Sequence, residues 1–146
     1  MNTFTNPENN IRELGVHEGM VVADLGAGTG AYTVPLARLA GESGRVYAVE
    51  VQKDFLSNIK NATTAQGFKN VEFIWGDIER PLGTKIKEGS VDVVVISNVL
   101  FQAEDKKGLL REANRILKIG GKMLLVDWKE SFGGLGPNKD SVVPAN

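Results

Sequence analysis

The stretch VVADLGAGTGAYTVPLA, residues 21–37, runs from an apolar segment straight into three glycines at alternate positions, Gly26, Gly28 and Gly30, and then into a helical pattern. Without Cβ atoms these residues permit a tight turn and close approach of another group to the backbone. The helix that follows opens with unpaired N–H groups beside the turn. In an open parallel sheet that position is the carboxyl end of a strand, where ligands bind if the strand order reverses. The stretch therefore predicts an α/β fold with a ligand cradle after its first strand.

The rest of the chain repeats the alternation. Apolar, β-branched runs predict strands at Met20–Leu25, Arg45–Glu50, Val71–Trp75, Val91–Ser97 and Lys122–Trp128. Asn6 can cap a first helix with Pro7 at its first position and Gly15 at its end. Further helices are predicted at Thr29–Ala40, at Lys53–Gln66 closed by Gly67, and at Glu104–Leu117, where Leu109, Ala113, Ile116 and Leu117 form one stripe. VDVVVIS is apolar on both faces and belongs in mid-sheet. Pro81, Gly83 and Gly89 interrupt residues 78–90, which read as mostly loop. The expectation is a single domain over residues 1–146, with an N-terminal helix region at 1–19 and an irregular tail at 129–146.

Composition limits the partners. A chain of 146 residues with 42% apolar content suits one core. Its 17 basic and 18 acidic residues, net −1, generate no global field for nucleic acid or an anionic membrane, so a small molecule is the expected partner. With no cysteine and the single histidine His17, disulfides, thiolate nucleophiles and a metal cluster are not expected. VDVVVISNVLF, the longest apolar-rich run, is too short to span a bilayer, and a cytoplasmic location is expected. Asn61-Ala62-Thr63 fits the glycosylation pattern, but falls in a predicted helix and reads as chance.

Three ligands compete for the glycine loop. Gly26, Gly28 and Ala31 satisfy the loose G-x-G-x-x-G/A dinucleotide pattern, and Glu50 follows about twenty residues later. Asp24 opposes that reading. Its charge about 5 Å from a pyrophosphate, at an effective dielectric of about 20, would cost roughly 3 kcal/mol. A phosphate loop lacks its Lys-Ser or Lys-Thr. The loop is better suited to a ligand carrying positive charge near Asp24. A purely structural role for the glycines stays open.

VADLGAGTG, VYAVE, WGDIE, VDVVVISNVL and ILKIGGKMLLVDW, in this order and spacing, resemble the successive motifs of the class I S-adenosylmethionine-dependent methyltransferases, from about Gly15 to Trp128. In detail the chain is similar to the small-molecule branch around the ubiquinone-biosynthesis-type enzymes. The resemblance implies a Rossmann-like three-layer sandwich with a mostly parallel sheet ordered 3-2-1-4-5. It implies that Gly26, Ala27, Gly28 and Gly30 line the methionine half of S-adenosylmethionine, and that Asp24 faces the ammonium directly or through water. Glu50 would accept both ribose hydroxyls, with Val51 beside it. Asp77, after Gly76, would accept from the adenine amino group while the Ile78 N–H meets the ring. Ser97 and Asn98 would lie beside the methyl donor, and S-adenosylhomocysteine would be the product.

Catalytic chemistry is thinner. Methyl transfer from a sulfonium is an in-line displacement that positioning and desolvation can drive without a dedicated base. Where many relatives carry a Leu-His-His-like stretch, this chain reads Leu100-Phe101-Gln102-Ala103, so no catalytic residue is assigned. His17 reads as a surface residue. No Asn/Asp-Pro-Pro-aromatic stretch follows the fourth strand, and by the family pattern that the resemblance brings this disfavours methylation of adenine or glutamine amide nitrogen. The absence of cysteine excludes the covalent adduct of cytosine C5 methylation and thiol capture of arsenite. Lys106, Lys107, Arg111 and Arg115 are interleaved with Glu104, Asp105 and Glu112, which predicts a solvated helix face rather than an RNA patch.

The reading is a methyltransferase acting on a small-molecule acceptor. The alternatives are a non-catalytic or incomplete S-adenosylmethionine-binding module that needs a partner chain, and an NAD-dependent oxidoreductase domain. Relatives continue past the fifth strand into a helix and an antiparallel strand pair. Here DWKESFGGLGPNKDSVVPAN holds Gly133, Gly134, Gly136, Pro137 and Pro144, so the C-terminal hairpin is expected to be missing. The fifth strand would then be an edge, masked by the tail or by a second copy in a homodimer.

Overall fold

In the computed structural model, which describes residues 6–97 and 103–126, helices and strands alternate. They are α1 (Pro7–Leu14), β1 (Val21–Leu25), α2 (Thr33–Ala40), β2 (Arg45–Glu50), α3 (Lys53–Ala65), β3 (Val71–Trp75), β4 (Val91–Ser97), α4 (Lys106–Ile116) and β5 (Leu117–Val126). The five strands form one parallel sheet ordered β3-β2-β1-β4-β5. Strand order reverses between β1 and β4, which places a crevice beside the loop after β1.

Alternation along the central strands sorts the helices into layers. Val93 and Val95 of β4 pack with Ile11 of α1 and Leu36, Ala37 and Ala40 of α2. Val94 and Ile96 face the other way, onto Leu109, Ala113 and Ile116 of α4. On β2, Val46 meets the α2 layer and Ala48, two residues on, meets Ile59 of α3. α1, α2 and α3 therefore cover one face and α4 the other, the three-layer arrangement that burial of both faces demands.

Local signals set most boundaries. The Asn6 carboxamide accepts from Asn9 N–H at 3.1 Å and Gly15 takes φ +90°, so α1 starts and stops where expected. α2 begins four residues later than its periodicity suggests. Gly28 and Gly30 hold left-handed backbone at φ +56° and +85°, and the turn they make consumes Thr29–Tyr32. The fifth strand begins earlier than predicted, directly after α4. Its pairing passes from Val91↔Leu117 to Val93↔Lys122, so residues around Gly120 bulge out and leave Ile119 fully exposed. Asp127, Trp128 and the tail at 129–146 lie outside the described residues. Among the described residues β5 is an edge strand.

Candidate cofactor site

The carboxyl ends of β1, β2, β3 and β4 surround a cavity of about 410 Å³. It brings together Gly26, Ala27, Gly28, Glu50, Val51, Gly76, Asp77, Ile78 and Ser97 from sequence segments far apart. Asp24 and Gly30 do not line it. Asn98 lies outside the described residues. A larger groove of about 920 Å³, between the α2–β2 and α3–β3 turns, gathers none of the sequence-marked residues.

The glycine loop is held from beneath, where Gly26 and Ala27 N–H both donate to Val49 C=O, at 2.8 and 3.0 Å. A Cβ added to Gly28 would find no atom nearer than the Gly26 carbonyl oxygen at 3.8 Å, so this glycine opens space. A Cβ on Gly30 would press on Ile59 at 3.3 Å. Gly30 thus serves the packing of α3 against the loop, and not the cavity wall for which the resemblance marks it.

Glu50 ends β2 and is buried, 5% exposed as a residue. Oε1 accepts from Gly28 N–H at 2.8 Å and Oε2 from Gln52 N–H at 2.9 Å. A carboxylate has about four acceptor directions, so each oxygen retains capacity for one hydroxyl of a vicinal diol.

Asp24 lies under the loop, fully buried. Thr33 Oγ1 donates to Oδ2 at 2.7 Å, while Oδ1 has no partner among the described residues. Burial pushes the carboxyl up to about 7; the Thr33 hydroxyl opposes the rise and the neighbouring Glu50 charge adds to it. An acid so placed suits a cation or donor from outside the described residues. Asp24 therefore lies beneath the turn and not in the cavity wall, and Oδ1 is the acceptor left over for the contact, direct or through water, that the resemblance implies.

The third wall depends on a close fold of the β3–β4 connection. A Cβ on Gly76 would collide with the Gly83 carbonyl, and one on Gly83 with the Asp77 carbonyl. Asp77 Oδ1 accepts from Glu79 N–H at 3.0 Å, and Oδ2 lies 3.3 Å from Arg80 Nε. Leu82 and Lys85 hold left-handed φ of +63° and +60°. Glu112 of α4 stabilises this shape, accepting from Leu82 N–H, Thr84 N–H, the Thr84 hydroxyl at 2.6 Å and the Arg115 guanidinium at 2.7 Å. Burial alone would raise the Glu112 carboxyl, but those hydrogen bonds outweigh it and hold it at about 2. The α4 face predicted to be solvated is therefore corrected at Glu112, which is 2% exposed and bridges helix to loop.

Sequence reasoning missed three contributors. Trp75 donates from Nε1 to Val51 C=O at 2.8 Å, with Lys53 Nζ 4.0 Å above its ring, tying the ends of β2 and β3. Phe55 and Tyr32 line the cavity from the starts of α3 and α2. Only the aromatic residues' proximity to the motifs could have flagged them. Among the described residues no group of His, Asp and Glu could hold a metal ion, and no helix is long and apolar enough to cross a membrane.

A doubly wound sheet with a glycine turn after its first strand and an acid ending its second defines a Rossmann-like fold with a cavity at its strand ends. Residues 16–136 match the methyltransferase-domain family, and the chain belongs to it, within the class I S-adenosylmethionine-dependent methyltransferases. It is 38% identical over 115 residues to an arsenite methyltransferase of Aquipseudomonas alcaligenes, covering 75% of this chain and 33% of that protein. It is 30% identical over 117 residues to a demethylmenaquinone methyltransferase of Lactococcus lactis, covering 80% of this chain and 45% of that one. A crystal structure of a SAM-dependent methyltransferase from Aquifex aeolicus superposes with a TM-score of 0.83 at 28% identity, over 96% of this chain and 73% of that one. The chain spans a third to a half of the length of these curated relatives. Family membership disfavours the nicotinamide-dependent alternative.

Proposed function

We propose that the cavity binds S-adenosylmethionine and that this chain carries the cofactor-binding part of a methyltransferase acting on a small organic acceptor. The observation that carries this is the Glu50 carboxylate, fixed by Gly28 and Gln52 N–H with one lone-pair direction per oxygen left for a ribose diol. S-Adenosylmethionine would supply an electrophilic methyl group on a sulfonium. The protein's part is to orient it: Asp77 and Ile78 border the base end, Glu50 the sugar, and the glycine turn with Ser97 the amino-acid end. Asp24 Oδ1, the orphaned acceptor beneath the turn, suits the ammonium group. An organic acceptor fits better than arsenite, because the chain has no thiol to hold arsenic.

The near-neutral charge supports a small molecule over a nucleic acid, and a cysteine-free chain suits the cytoplasm. We also propose that a second copy pairs across the β5 edge, whose outer N–H and C=O groups seek partners. Light scattering should then report a dimer, and a strict monomer would remove that element.

Isothermal calorimetry tests the core reading. S-Adenosylmethionine and S-adenosylhomocysteine should bind and NAD should not. Glu50→Ala should weaken binding by about 1.5–3 kcal/mol, the scale of a hydrogen bond to a charged group, and should lose discrimination between the ribose ligand and its 2′-deoxy analogue. Tight NAD binding with no heat from either sulfur compound would overturn it.

A further inference from the structure

Tyr32 sits at the N-terminal boundary of α2, 4% exposed, with its side chain packed against the α1–α2 layer while it also borders the cavity. Its phenolic oxygen accepts from Asn10 Nδ2 of α1 at 2.8 Å. The hydroxyl's own proton is donated to no described residue. A buried phenol normally finds an acceptor for that proton. Here the Asn10 amide occupies one lone pair of the phenolic oxygen and leaves the O–H available to an acceptor from outside the described residues. Ionisation of the phenol is opposed by burial and by the nearby Asp24 carboxylate, and Tyr32 stays a donor.

A donor on a residue that borders the cavity, near enough to Asp24 to feel its charge, and the Asp24 Oδ1 acceptor, which has no partner among the described residues, make a complementary pair. One side takes a cation and the other an anion. Among small ligands an α-amino acid end carries both charges as substituents of one carbon. We infer that Tyr32, oriented by Asn10, donates to the carboxylate of the bound cofactor's amino-acid end and makes the site selective for cofactors that keep it. This rests on the cofactor reading above. Tyr32 touches no reacting atom in this assignment: it sets affinity and the reach of the sulfur along the cavity. It also gives α1 a role, because the Asn10 amide is what fixes the phenol, while Glu8 anchors the helix to Arg38 of α2 at 2.6 Å.

The test compares S-adenosylhomocysteine with 5′-methylthioadenosine, which keeps the nucleoside and sulfur but has no amino acid. Tyr32→Phe preserves the buried ring and removes only the hydroxyl. It should bind S-adenosylhomocysteine about ten- to a hundred-fold more weakly, the scale of one hydrogen bond to a charged group, while 5′-methylthioadenosine binding stays within about twofold. Asn10→Ala should reproduce the selective loss in part. Equal weakening of both ligands in Tyr32→Phe would mean that the phenol acts only through loop packing, and unchanged binding of both would mean that it contacts nothing; either overturns the assignment. If the wild-type chain binds neither compound, the cofactor reading itself fails and this inference with it.

Discussion

Glu112→Ala is expected to lower the unfolding free energy by about 3–5 kcal/mol, the cost of breaking a buried ion pair and leaving its partner without compensation. Four donor groups converge on this one carboxylate, and three of them belong to the β3–β4 connection that forms one wall of the cavity. Without it, Leu82 and Thr84 N–H lose their acceptor, and the left-handed turns at Leu82 and Lys85, each costing about 1–2 kcal/mol, lose their support. Urea unfolding gives the magnitude. Acid gives an independent signature. The folded carboxyl titrates at about 2 against an ordinary value of 4.5, so its contribution is complete above pH 4.5 and disappears as pH falls towards 2. The difference between wild type and Glu112→Ala should shrink across that window. A loss below about 1 kcal/mol would show that apolar packing of Ile86 holds the loop and the carboxylate is incidental.

The acid was legible in principle. It stands three residues after Leu109 and four before Ile116, on the buried stripe of α4, with Arg115 one helical step away. Reading the charges of α4 as a run hid that Glu112 and Arg115 share the stripe's side. The sheet order was easier, because each strand is a short β-branched run and burial of VDVVVIS on both faces leaves few places for it. Helix starts were harder. Periodicity extends through Thr29–Tyr32, yet the backbone there is committed to the turn that Gly28 and Gly30 impose.

Among the site residues, Glu50 and Asp77 were legible from their positions at strand ends. Gly30 was not, because a glycine that admits a ligand and one that admits a neighbouring Ile59 look the same in sequence. Asp24 was half legible: its type and spacing point to a cation, but its complete burial, which raises its pKa, is a product of three layers closing over it.

That burial makes Asp24→Asn the other large effect. The carboxyl has an ordinary value of 3.8 and a folded value of about 7, so between those limits the folded chain binds more protons than the unfolded one. Stability from this group is then fullest below pH 3.8, declines as pH rises towards 7, and is flat beyond. At pH 8 the buried charge costs about 4 kcal/mol relative to acid conditions, at 1.36 kcal/mol per pH unit. Asn cannot ionise, and its carbonyl oxygen can still accept from Thr33. Unfolding free energies of wild type and Asp24→Asn, measured from pH 4 to 8, should therefore diverge as pH rises, with the variant gaining; all other titrations are shared and cancel in the difference. Parallel curves would mean that Asp24 is ionised throughout. The same proton couples to the ligand. A cation delivered to Oδ1 favours the carboxylate and expels the proton, so S-adenosylmethionine should bind more tightly as pH rises to about 7, releasing up to one proton near pH 6. Calorimetry in buffers of different ionisation enthalpy reads that proton directly. Asp24→Asn should release none, binding more weakly at pH 8 despite folding more stably, and it is this opposition of stability and affinity at one residue that a purely structural aspartate could not produce.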